Sequence, residues 1–83
     1  KEGKIAAAKA LGASDDQSSI DLLLRFVDDA DDDVVFAACE SLRKVGSEHD
    51  TADLLSRMQK IPEDRQAIRD EIGKTVQELH HRP

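Results

Sequence analysis

A short pattern recurring at a fixed spacing limits this chain more than any other feature. Ala8-Lys9-Ala10-Leu11 and Cys39-Glu40-Ser41-Leu42 share a small–charged–small–Leu order, 31 residues apart. Leu23-Leu24 and Leu54-Leu55 are separated by the same 31 residues, and so are Val27 and Met58. A looser third copy maps Val34, Ala38, Leu42 and Val45 onto Ile68, Ile72, Val76 and Leu79 at an offset of 34. That larger offset requires a small insertion near Lys60-Ile61-Pro62. Periods in this range mark supersecondary units that stack on one another, because one unit alone cannot bury its apolar face.

Each unit reads as two helices. Ile20, Leu23, Leu24 and Val27 fall at i, i+3, i+4 and i+7, one apolar stripe of helical period. Leu22 and Phe26 form a second stripe on the opposite side, so this helix is expected to be covered on two faces. Gly12 and Gly46 are placed to end helices. Pro62 suits a first helical turn, with Glu63 and Asp64 following where negative charge is favoured. The pattern predicts helices at about 3–12, 17–28, 33–45, 49–59 and 62–80, the strongest hairpin joining 17–28 to 33–45. No segment shows the strict alternation of a strand.

Composition sets the scale of the core. Leu, Ile, Val and Phe supply 20 of 83 residues and Ala ten more, so the interior is built from few and small side chains. A chain this short buries roughly 60% of its unfolded surface, and modest stability follows. No apolar run is long enough for a membrane span. The single cysteine, Cys39, excludes an internal disulfide and a Cys-based zinc site. A net charge of −6 argues against nucleic acid as the main partner. Most of that charge is local: residues 13–33 carry −7, whereas residues 1–12 carry +2. Asp accepts from free backbone N–H groups and complements the helix dipole, so Asp15-Asp16 and Asp31–Asp33 read first as helix starts. An acidic binding surface is the second reading.

The stretch from Ile20 to Leu42 carries a leucine pair, an Asp-rich turn, Val34, Ala37-Ala38 and Leu42 in order. This order and the period resemble the HEAT repeats, in particular the short bacterial type grouped with phycobilisome-lyase HEAT-like repeats. The resemblance covers residues 4–58 closely and 62–80 loosely. It implies an all-α, right-handed α-solenoid of antiparallel helix pairs, about two and a half repeats long. Two positions depart from the family pattern. Val35 stands where an Arg usually follows the Val that opens the second helix, and Ala30 replaces the usual turn Pro.

The two ends of the array differ. Ile68, Ile72, Val76 and Leu79 occupy one narrow face of the last helix, and charged residues fill the rest, as a capping helix requires. In the first helix Ile5, Ala6, Ala7, Ala8, Ala10 and Leu11 wrap almost all the way round. Residues 1–83 are therefore expected to form one HEAT-like domain, the C-terminal part of a longer array. The first helix is expected to fray or to self-associate. The chain starts without an initiator Met or a signal-peptide apolar region, and a cytoplasmic location is expected.

Chemistry finds little support. Asp29, Asp31, Asp33 and Glu40 fit positions 1, 3, 5 and 12 of a calcium loop, but Val34 stands where the loop turns sharply, usually at Gly. His49 lies in a helix-start turn, and the adjacent His80 and His81 point about 100° apart on a helix. The His-Glu dipeptides by which some relatives built from such repeats bind iron are absent. Cys39 has no nearby His in sequence, and no serine sits in a nucleophile elbow. No catalytic activity, cofactor or metal is expected. With Val34, Ala38, Leu42 and Val45 as the buried face, Phe36, Cys39 and Arg43 fall on the far side as candidate partner-binding residues. The expected function is a scaffold that binds another protein, with no nucleic acid and no membrane. The alternative, implied by the resemblance, is an accessory subunit of a phycobilisome-lyase-like enzyme that attaches or handles a chromophore.

Overall fold

A computed structural model gives the structure of the protein and describes residues 2–81. Its helices are α1 (Glu2–Leu11), α2 (Gln17–Phe26), α3 (Asp32–Val45), α4 (Thr51–Gln59) and α5 (Gln66–His80). Asp16 opens α2 by accepting the Ser19 N–H at 2.8 Å, and Asp31 opens α3 by accepting the Asp33 N–H at 2.9 Å. Each satisfies a donor that a helix start would leave unpaired. A 3₁₀ turn, Glu48–Asp50, leads into α4, with the Asp50 carboxylate accepting the Ser47 N–H at 2.9 Å. Ser47 stands 31 residues after Asp16, so the capping position repeats with the core. No strand occurs among the described residues.

Three boundaries differ from expectation by two residues or more, among them the start of α4, at Thr51 rather than 49 behind the 3₁₀ turn. Helix α5 starts at Gln66 rather than Pro62, because residues 62–65 form a turn closed by the Arg65 N–H on the Pro62 carbonyl at 3.0 Å. That turn absorbs the three extra residues of the longer offset and leaves Glu63 and Asp64 outside the helix. Helix α2 ends at Phe26, where its ladder tightens and the Asp28 and Asp29 N–H groups bond to the Arg25 and Phe26 carbonyls. Gly12 and Gly46 do follow the ends of α1 and α3, but for a different reason. No glycine among the described residues has a positive φ. A Cβ on Gly12 would lie 2.7 Å from the Ser41 Oγ, and one on Gly46 would lie 2.7 Å from the Leu42 carbonyl oxygen. Close approach, not handedness, requires glycine there.

Helices α1, α3 and α5 stack side by side, with α2 over α1 and α3, and α4 over α5. The result is a slab measuring 32 × 30 × 15 Å. Helix α3 meets α1 more extensively than it meets α2, so stacking between units exceeds the pairing of residues 17–28 with 33–45. A polar link joins α1 to α3 in this stack. The last turn of α1 closes with Gly12, Ala13 and Ser14 donating to Lys9, Ala10 and Leu11, and the Ser41 hydroxyl donates to the Ala8 carbonyl at 2.6 Å. Both groups are buried, so this bond satisfies an acceptor that water cannot reach.

The repeat is visible in the core itself. Ala8 and Cys39, Leu23 and Leu54, Val34 and Ile68, and Ala38 and Ile72 are equivalent pairs, and all are fully buried. Central α3 is covered on more sides than its apolar stripe indicated, since Val35, Ala37, Cys39 and Ser41 are buried too. Outer-layer α2 is covered on one face only: Leu22 is exposed and Phe26 half-buried. In α1 only Ala8 is buried, while Ala6 and Ala10 are exposed. Helix α5 keeps the single apolar face expected of it, with Ile68, Ile72, Thr75 and Leu79 buried and Val76 half-buried.

Candidate interaction surface

The Asp-rich turn between α2 and α3 is tied to cations from elsewhere in the chain. Asp29 accepts from the Lys4 Nζ at 2.7 Å and from the Asp31 N–H at 2.8 Å. Asp28 pairs with Arg57 of α4, and Asp32 with Arg65 at 2.6 Å. These aspartates therefore join three elements as well as capping a helix. No group of three or more His, Cys, Asp or Glu side chains among the described residues is arranged to hold a metal ion. Calcium added to the protein is expected to leave the melting temperature unchanged. A specific site at 100 times its Kd would stabilise by about 2.7 kcal/mol, so a rise with calcium but not magnesium would contradict this.

The Lys4–Asp29 pair and the Asp16 cap contribute to the acid limb of stability. The Lys4 ammonium, then the Asp31 N–H, hold the Asp29 carboxyl below the usual range, and Asp29 in turn raises Lys4. The Ser19 N–H does the same for Asp16, with help from the Ser19 and Ser14 hydroxyls. Depressed carboxyls stabilise the fold above their ordinary titration range, and that contribution is lost as pH falls through the folded values.

The missing Arg at position 35 is answered from the next unit. Arg69, the equivalent of Val35 in α5, donates to the turn carbonyls of Ile61 at 2.8 Å and Met58 at 3.4 Å. In the first hairpin the guanidinium that reaches the turn backbone is Arg65, which donates to the Asp29 carbonyl at 3.4 Å. Nothing in local sequence marks Arg65 for this task.

The three candidate partner-binding residues separate. Phe36 is 36% exposed near the middle of α3. Cys39 is fully buried, which corrects its placement on the free side. Arg43 lies between: its Nη1 donates to Glu71 at 2.6 Å and to the Thr75 hydroxyl at 3.0 Å, and its Nε lies 3.8 Å from Glu78. Helix α5 stacks along the flank of α3 that carries Cys39 and Arg43, and the stripe of α3 alone could not reveal that neighbour.

Burial pushes the Cys39 thiol up to about 11, against a smaller opposing effect of the Thr75 hydroxyl. The thiol is therefore expected to resist an aromatic disulfide reagent at pH 8 and to react fully once urea unfolds the chain. A thiol raised in the folded state favours folding below its ordinary value and loses that contribution as pH rises. Stability should fall between about pH 9 and pH 11, by at most about 1.4 kcal/mol per pH unit from this group. Cys39→Ala should remove that slope, and rapid labelling of the native protein would contradict the burial.

Sequence reasoning missed a groove at the C-terminal ends of α3 and α5. It encloses about 350 Å³ and is lined by Arg43, Lys74, Gln77, Glu78 and His81. A shallower one of about 500 Å³ runs along α5 and includes Met58, Arg69 and Gly73. The equivalent leucines of the outer layer also differ. Leu24 is 4% exposed and Leu55 40%.

The stacked helix pairs, the 31-residue period and the open side of α1, α3 and α5 define a helical-repeat protein. A family model for HEAT repeats matches residues 1–73, and the chain belongs to the HEAT repeat family. The match does not distinguish the phycobilisome-lyase type. No curated protein and no solved structure matches the chain. HEAT repeats generally mediate protein–protein interaction. No helix among the described residues is long and apolar enough to cross a membrane.

Proposed function

We propose that this chain is a scaffold that binds another protein through the open side of α1, α3 and α5, without catalytic activity of its own. Phe36 carries this reading. It is one of only two aromatic residues, and it stands exposed on the central helix instead of filling a thin core. Lys9, Glu40, Lys44 and Lys74 are exposed on the same three helices and supply a charged rim. An aromatic anchor inside a polar rim is the usual anatomy of a binding patch. The test is a photo-reactive phenylalanine analogue at position 36 of the protein in its own cell, with Leu22 as the control site. One protein crosslinked from position 36 and absent from position 22 is the expected result. Capture of nothing, or equal capture from both sites, would overturn the reading.

A further inference from the structure

We propose that the two free flanks of the stack are halves of one interface, and that a second copy of this chain docks its α1 on α5, head to tail. The register of that contact already occurs twice inside the chain. At the first junction Ser41 of α3 lies against Ala8 and Gly12 of α1: its hydroxyl donates to the Ala8 carbonyl at 2.6 Å, and a Cβ on Gly12 would lie 2.7 Å from its Oγ. At the second junction Thr75 of α5 lies against Cys39 and Arg43 of α3, accepting from the Arg43 Nη1 at 3.0 Å. Thr75 is the equivalent of Ser41, as Cys39 and Arg43 are the equivalents of Ala8 and Gly12. One step further along the repeat, Gly73 and Gln77 of α5 take the place of Cys39 and Arg43. The residue due to meet them is Ala10 of α1, the remaining equivalent of Ser41.

Both sides of that third junction are uncovered. Ala8, Cys39, Ser41 and Thr75 are buried, whereas Ala10 is exposed, Gly73 is half-buried, and a Cβ on Gly73 would meet nothing within 4 Å. Small residues on both sides let two helices approach closely. The outer layer is open at the same end. Leu55 is exposed and Met58 half-buried, although their equivalents Leu24 and Val27 are buried. Met58 and Gly73 line one groove of about 500 Å³, into which a helix flank fits. Across the internal junction Arg57 pairs with Asp28, and the equivalent positions on the free flanks are Phe26 and Gln59. The outer layer therefore closes between copies without burying a charge at these positions. A second copy carries the matching half at the required spacing. Its contact uses different patches on the two molecules, so it continues as an open chain of copies unless the rotation closes it. A flank of 30 by 15 Å offers roughly 450 Å² per copy, small beside a standard interface of about 800 Å² per partner, so the association is weak and concentration-dependent.

The test is disulfide trapping in the whole 83-residue chain on a Cys39→Ala background, with Ala10→Cys and Gly73→Cys made singly and together and folding checked by circular dichroism. Under a mild oxidant a mixture of the two single variants should give a dimer, and the double variant a ladder of dimers, trimers and longer chains. Each single variant alone should give no more than the control mixture of Gly73→Cys with Ser18→Cys, whose position on α2 is exposed. Sedimentation velocity of the unmodified chain, which needs no cysteine variant to fold, should show a coefficient that rises with concentration and does not level off at the dimer. Gly73→Arg should abolish that rise. A dimer from Ala10→Cys alone would mean that α1 packs on α1 and would overturn the proposal. Trapping no higher than the control, or a chain that stays monomeric at every concentration, would leave the flanks to a different protein and overturn it equally. Phe36 of the central helix lies on neither flank, so each of these outcomes leaves the scaffold reading standing. That reading falls separately, if crosslinking from position 36 captures no partner.

Discussion

Replacing Val35 by Arg, the residue most HEAT repeats carry there, is expected to destabilise this protein by about 3–5 kcal/mol in urea titrations. The loss is large because Val35 is fully buried in the central helix. At the equivalent positions the cations have exits. Lys4 is exposed and reaches Asp29, and Arg69 is half-buried and reaches two turn carbonyls. At position 35 a guanidinium would enter the interior while Arg65 already holds the turn backbone and Asp32. A charge buried without a partner is among the most expensive single changes. A domain of this size holds only about 4–12 kcal/mol in total, so much of the population would unfold. An unchanged midpoint would mean that the side chain finds water or a carboxylate, and that α5 covers α3 less closely than described.

The second expected result concerns three equivalent leucine-type positions, Leu11, Leu42 and Val76. Leu42→Ala should cost about 3 kcal/mol, whereas Leu11→Ala and Val76→Ala should each cost about 1 kcal/mol. Leu42 is fully buried in α3, while Leu11 and Val76 are only half-buried in the flanking helices. Truncation at the centre leaves a cavity that two rigid neighbours cannot fill, and truncation at an edge lets solvent and the outer helix adjust. Urea midpoints of the three variants measure this directly. Equal losses at all three would show that the stack is uniform, with no privileged central helix.

Much of the architecture was legible because it is written in local periods. Leu23 and Leu54, or Ala38 and Ile72, could be paired from spacing alone, and each pair is buried together. Asp16 and Asp31 announced helix starts through a chemistry that acts over three residues or fewer, and both cap as expected. Phe36 could be placed on a free side of α3 because about 100° per residue separates it from the buried stripe. Cys39 could not be placed by that rule, which says nothing about a second helix lying along the flank.

By itself, then, the sequence determined the 31-residue unit, the helical content, the capped helix starts and the single apolar face of α5. Only the tertiary structure decided what lies between units. It buried Cys39 beside Thr75 and turned Arg43 toward Glu71. It spread the Asp28–Asp33 turn over Lys4, Arg57 and Arg65, and it opened the groove at the end of α5. The physical reason is range. Helix period and capping depend on neighbours within one or two turns, whereas these pairings join residues 25–36 positions apart through the lateral packing of helices. Nothing in a local pattern encodes which side chains two stacked helices will bring face to face.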